Sequence, residues 1–187
     1  MKIYVEVSAR HIHLTREHFK KLFQKDEILL RNRLNGDKET YASDETVEIV
    51  GPGGSMHNVR VLGPFRDNSQ VEISRTDAFN LDIDAPLELS ESGKGAKIRV
   101  IGPRSEITAD IAIVAKRHLH ISPEKAAAYK LKEGQVIKVK IPGERSLIFD
   151  NIIVRINKNF VNHVHLDTDE GNAAGINKII SAEIIAL

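Results

Sequence analysis

The chain has 187 residues, 27 Lys and Arg against 26 Asp and Glu for a formal net charge of +1, and 41% apolar residues. Such a length and composition fit one large or two small globular domains and exclude a disordered chain. The balanced charge argues against nucleic acid as a partner, and the absence of cysteine excludes disulfides, thiolate zinc sites and a cysteine nucleophile. No stretch approaches the roughly 20 apolar residues that cross a bilayer. The opening Met1-Lys2-Ile3-Tyr4-Val5-Glu6-Val7 alternates like a strand and lacks a signal-peptide core. A cytoplasmic protein with no membrane partner is expected.

In chain order, that first strand leads to Ser8-Ala9-Arg10-His11-Ile12-His13-Leu14-Thr15. Thr15 is an N-cap residue, and Phe19, Leu22 and Phe23 fall at helical spacing behind it. The polar stretch from about 31 to 44 reads as a loop insertion. Thr46–Gly53 reads as a strand entering a Gly/Pro turn, followed by the short apolar runs at Val59-Arg60-Val61 and Val71-Glu72-Ile73. Residues 82–98, rich in Asp, Glu, Ser, Gly and Lys, read as the connection between halves or a mobile loop over a site.

The second half then echoes the first. Ala115-Lys116-Arg117-His118-Leu119-His120-Ile121-Ser122 repeats the His-X-His segment, with Ser122 as cap and Pro123 at the first helical position. Ala126 to Ala128 continue that helix, and Gly134 ends the turn after it. Val136–Gly143 repeats Thr46–Gly53, Val154-Arg155-Ile156 repeats Val59-Arg60-Val61, and Val164-His165-Leu166 repeats Val71-Glu72-Ile73. The pattern predicts a mainly β fold with short helices: two repeated β-barrel domains over 1–95 and 96–187.

The chemistry lies in the histidines. Two imidazoles at i and i+2 of a strand share one face, about 6.5–7 Å apart along the backbone, and their nitrogens can converge on one ion at about 2.0–2.1 Å. One such pair reads most simply as two hydrogen-bonded histidines. Two pairs, His11/His13 and His118/His120, at equivalent places of a repeat point to metal. Ile3, Val5 and Val7 share parity with His11 and His13, so a regular strand would turn the first pair inward. The repeat nominates Glu72 and His165 as further ligands, each flanked by apolar residues and pointing away from them. His163 has the same parity and is a reserve ligand; His18 and His57 are expected at the surface, in a helix and a turn. Five histidines and a carboxylate suit two nearby ions, or one ion with acid–base histidines; the imidazole count favours zinc, and the same ligand logic leaves cobalt, nickel and iron open.

Arg66, in Gly63-Pro64-Phe65-Arg66, has Asn159 near its aligned place and breaks the symmetry. A guanidinium near a dication would bind an anion such as phosphate or carboxylate. Arg10 and Arg117, ahead of the two pairs, are expected to make hydrogen bonds that support the ligands or join the two halves. The phosphate-binding glycine loops of nucleotide enzymes and the Gly-X-Ser-X-Gly elbow are absent from the sequence.

Taken together, Ser8–Leu14, Val59–Pro64, Gln70–Phe79, Arg117–His120 and His165–Glu170 resemble the corresponding blocks of the phosphate propanoyltransferase family of PduL-type phosphotransacylases. The resemblance runs from about Val5 to Gly175. It implies two β-barrel domains with a dinuclear zinc site where they meet, and reversible transfer of an acyl group between coenzyme A and inorganic phosphate. It implies His11, His13, Glu72, His118, His120 and His165 as metal ligands, Arg66 as the phosphate-binding catalytic residue, Phe79 along the coenzyme A passage and Ser90 near the phosphate. Family members of bacterial microcompartments often carry an N-terminal targeting extension. This chain begins at the first strand, which favours a free cytoplasmic role and makes acetyl-CoA as good a candidate as propanoyl-CoA. A homodimer is left open. The rivals are a metal-dependent hydrolase and a non-catalytic metal-binding barrel module.

Overall fold

Alternation and caps dictate the elements seen in the computed structural model, which describes residues 2–90 and 92–186. In chain order they are β1 (Lys2–Val7), β2 (His11–His13), α1 (Arg16–Phe23), β3 (Leu30–Arg33), β4 (Tyr41–Gly51), β5 (Gly54–Gly63), β6 (Gln70–Ile73), α2 (Arg75–Leu81), β7 (Leu87–Glu88), β8 (Ala96–Ile101) and β9 (Glu106–Ala115), then β10 (His118–Ile121), α3 (Pro123–Ala128), β11 (Val136–Ile141), β12 (Leu147–Ile156), β13 (His163–Leu166), α4 (Thr168–Ala173) and β14 (Ile180–Ala186). Strand β11 shows the rule: Ile137, Val139 and Ile141 are buried, while the residues between them are exposed. The helices start where side chains satisfy their free N–H groups. Thr15 accepts from His18 N, Ser122 from Lys125 N, and Ser74 and Asp167 form capping boxes with Asp77 and Glu170.

The strands close two six-membered rings. In one, β1 pairs with β13 in parallel, β13 with β10 antiparallel, β10 with β12 in parallel, and β12–β11–β14–β1 complete an antiparallel arc. In the other, β9–β6 is parallel, β6–β2 antiparallel, β2–β5 parallel, and β5–β4–β8–β9 completes the arc. The two rings have the same order and directions, so the repeat read from the sequence is a repeat of topology. β3 and β7 are additions to the second ring, on β4 and β9.

The repeats and the barrels do not coincide. The chain divides into one unit of Met1–Ala9, Asn35–Lys38 and Lys116–Leu187, and another of Arg10–Leu34 and Glu39–Ala115. Contiguous halves cut at 95 and 96 are therefore not the compact units. The strand ahead of each His-X-His segment joins the barrel of the other repeat: β1 lies beside β13, and β9 beside β6. Residues 82–98 likewise do not link the units but run within one of them, through β7 into β8. The expected loop at 31–44 contains the end of β3 and the start of β4, and its middle, Asn35–Lys38, belongs to the first unit.

Each barrel interior is a layered apolar core. Val5, Val164, Leu119 and Val154 meet in register across four strands, and all are fully buried. Ala112, Val71, Ile12 and Val61 form the same layer of the other barrel. In that barrel, α1 adds Phe19, Leu22 and Phe23 to the core, with Phe19 stacked on Phe23 at 4.8 Å. These layers also correct the alignment of the repeat. Val61, not Val59, is the counterpart of Val154, a shift of two residues that keeps the same face inward.

Candidate metal centres

Because Ile12 and Leu119 point into the barrels, the histidines on either side of them lie on the outer barrel faces. The inward orientation expected from the parity of Ile3 to Val7 fails because the strand breaks at Ser8–Arg10 and β2 starts in a different barrel. The histidines are nonetheless buried: His11, His13 and His118 are at most 7% exposed.

Register brings the third member to each pair. His11 faces Glu72 across β2–β6, and His118 faces His165 across β10–β13. Within each of the groups His11/His13/Glu72 and His118/His120/His165, one ligand atom per residue lies within 4.8 Å of the others. His11 Nε2 and Glu72 Oε2 are 3.6 Å apart. Two ligand atoms on a tetrahedral ion at 2.0–2.1 Å are about 3.4 Å apart. The donor set thus fits a borderline-soft dication, with three protein ligands and a fourth position left for substrate or water.

The surroundings favour the ligating form of the His13, His118 and His165 rings. Burial first, then the charges of Arg66 and His11, hold the His13 ring well below its ordinary pKa and so neutral. Its Nδ1 is buried without a hydrogen-bond partner among the described residues. His118 Nδ1 lies 2.8 Å from the Lys116 carbonyl; a proton there leaves the Nε2 lone pair for a metal. His120 is stacked on Phe160 at 3.6 Å between ring centres. His165 Nδ1 lies 3.3 Å from Glu6 Oε1, and burial pushes the Glu6 carboxyl up, opposed by a hydrogen bond with the Gly36 backbone.

Arg66 follows β5; its backbone N donates to the carbonyl of Leu14, next to His13, at 3.0 Å, and its charge helps to lower the His13 pKa. Ser90 donates a 2.6 Å hydrogen bond to Glu72 Oε1, so its hydroxyl fixes the carboxylate of that triad. Phe79 stands 84% exposed on α2, the helix that starts three residues after Glu72. His163 is buried on the same face as His165, opposite His120. His57 is exposed on β5 near Glu48, whereas His18 is partly buried, with Nδ1 2.7 Å from Ser69 Oγ. Sequence reasoning missed Glu6, Gly36 and Phe160. The signal for Glu6 was an acidic residue on the polar face of an otherwise apolar strand.

Twin barrels of one topology each carry a His-X-His strand and a third donor in register, the arrangement of an enzyme with two candidate metal centres. A family model described as phosphate propanoyltransferase matches residues 4–177. Proteins named phosphate propanoyltransferase from Limosilactobacillus reuteri, Citrobacter freundii and Thermotoga maritima are 43%, 47% and 44% identical, over 92%, 90% and 94% of this chain and 81%, 81% and 85% of their own lengths. The chain belongs to the phosphate propanoyltransferase family and is an acyltransferase. Among the described residues no helix is long and apolar enough to cross a membrane.

Proposed function

We propose that the protein moves a short acyl group reversibly between coenzyme A and inorganic phosphate, with propanoyl-CoA or acetyl-CoA as the acyl donor. The observation that carries this reading is the pair of three-donor groups at register-equivalent places of the two barrels, with Arg66 bonded through its backbone N to Leu14 O, next to His13 of the first group. His11, His13 and Glu72 would hold one zinc ion, and His118, His120 and His165 a second. Bound there, zinc supplies Lewis-acid polarisation of an oxygen and stabilisation of developing negative charge.

The protein's own groups then have defined tasks. Arg66 receives phosphate through two oxygens and orients it for attack. Ser90 keeps Glu72 in place through its hydrogen bond, and exposed Phe79 offers an apolar surface to the coenzyme A arm. A phosphate oxygen attacks the thioester carbonyl, the carbon–sulfur bond breaks, and the proton of hydrogen phosphate ends on the departing thiolate. The transfer is direct, with no acyl-enzyme: Ser90, the serine at the first triad, donates its hydroxyl proton to the carboxylate that would serve as a ligand.

The test is thiol release from propanoyl-CoA and acetyl-CoA, with and without phosphate, on metal-replete and chelated protein. Release that needs phosphate and disappears on chelation is expected. Release without phosphate would make the protein a hydrolase. Metal binding without release would leave a non-catalytic barrel module.

A further inference from the structure

The first triad contains a carboxylate, and the second, made of three histidines, has one beside it, at a different position of the repeat. Around the first, the slot opposite the leading histidine holds Glu72, and the neighbouring strand places Ile113 next to it. Around the second, the same slot holds His165, and the neighbouring strand places Glu6 next to it. The acidic group has moved one strand sideways at constant register, and its place beside Glu72 is filled by a fully buried isoleucine.

We infer that Glu6 is the positioning residue of the His118/His120/His165 triad: it holds the His165 ring and provides the charge that Glu72 provides directly in the other triad. This rests on the reading that the triad binds a metal ion. A dication with two neutral imidazoles and one carboxylate carries a net charge of +1. Three neutral imidazoles leave it at +2, and Glu6 restores +1. With Oε1 3.3 Å from His165 Nδ1 and both side chains 16% exposed, the carboxylate sets the proton on Nδ1 and the lone pair on Nε2.

The loop at 35–38 shapes the same spot. A Cβ on Gly36 would lie 2.6 Å from Glu6 Oε1 and 2.6 Å from His165 Nε2, the atom left to ligate. The backbone is fastened there by Val161 N to Gly36 O at 3.1 Å and Lys38 N to Asn159 O at 3.0 Å. A side chain at 36 would therefore fill the space in front of the ligand atom.

The experiment is zinc titration of stripped protein against a competing chromophoric chelator, for wild type, Glu6→Gln, Glu6→Ile and the double variant Glu6→Ile/His165→Glu. Glu6→Gln keeps the shape and is expected to weaken one of two sites by about 10–100-fold, leaving the other unchanged. Glu6→Ile should lose that site, and the double variant should regain it, since it copies the Glu72/Ile113 arrangement. Unchanged affinities in Glu6→Gln and Glu6→Ile overturn the inference, as does a lower metal-free melting temperature with both sites intact. If His118→Ala keeps all of its metal, the triad reading itself fails, whatever Glu6 does.

Discussion

Arg10 grips Asp77 with two hydrogen bonds, Nε to Oδ2 at 3.0 Å and Nη2 to Oδ1 at 2.6 Å. Asp77 is the carboxylate of the capping box that starts α2, so the residue ahead of the first histidine pair is tied to the helix that follows Glu72. Arg117 does the same in the other barrel, bonding Glu170 of the capping box on α4. Each of these contacts lies within one barrel and goes to a helix cap, rather than joining the two halves. Arg10→Ala leaves Asp77, 2% exposed, without its cation. Hydrogen bonds to charged groups are worth roughly 1.5–3 kcal/mol. With the arginine side chain 41% exposed, a loss of about 1–2 kcal/mol is expected in urea unfolding. Arg10→Lys should recover little, because an ammonium cannot make the two-pronged contact. An unfolding midpoint equal to wild type would deny the brace.

The triads predict separable metal losses. His11→Ala and His118→Ala should each remove one equivalent of bound zinc and leave the other, measured by elemental analysis after gel filtration. Both should abolish phosphate-dependent thiol release. Full activity with unchanged metal content would refute the ligand assignment.

Arg66→Ala separates anion binding from metal binding. Zinc content should remain at the wild-type value while the KM for phosphate rises about 10–100-fold, the scale of a charge-assisted pair worth roughly 1.5–3 kcal/mol. Wild-type rates at limiting phosphate would remove Arg66 from the site.

Much of this site was legible because the repeat multiplies weak signals. Glu72 alone is an ordinary strand residue; aligned with His165 it becomes a candidate ligand, and both do face the leading histidine of their pair. The helix starts at Thr15 and Ser122 were legible for a local reason, since capping is decided within three residues. The exchange of β1 and β9 was not, because alternation says which face of a strand is apolar but not which barrel it joins. Glu6 and Gly36 depend on that exchange. They come next to His165 from chain positions 159 and 129 residues away, and no local pattern links them.

Two histidines set the acid response of the chelated protein. His13 is held well below its ordinary 6.5 by burial, Arg66 and His11, and His163 is lowered by burial. The unfolded chain therefore takes up protons first as pH falls through 6.5. Stability present above that value is lost below it, by up to about 1.4 kcal/mol per pH unit for each histidine. Glu6 and Asp167, both raised by burial, hold their protons longer in the folded state and soften the loss at the acid end. Urea unfolding at pH 7.5, 6.5 and 5.5 should give energies that fall over the last step, and His163→Gln should reduce the fall. Equal energies at all three values would contradict the assignment.

Strand exchange makes Lys2–Val7 a structural part of the second-repeat barrel. β1 bonds β13 on one side and β14 on the other, and Ile3 and Val5 are fully buried between them. Deleting residues 1–7 should open the ring between β13 and β14 and expose two strand edges. It also removes Glu6. Amide exchange should then accelerate at His163–Leu166 and Ile180–Ala186, while β4, β5 and β8, in the other barrel, keep most of their protection. Were the first strand a mere appendage of its own repeat, the lost protection would instead appear around His11–His13 and Gln70–Ile73. The pattern of exchange therefore decides which barrel the strand completes.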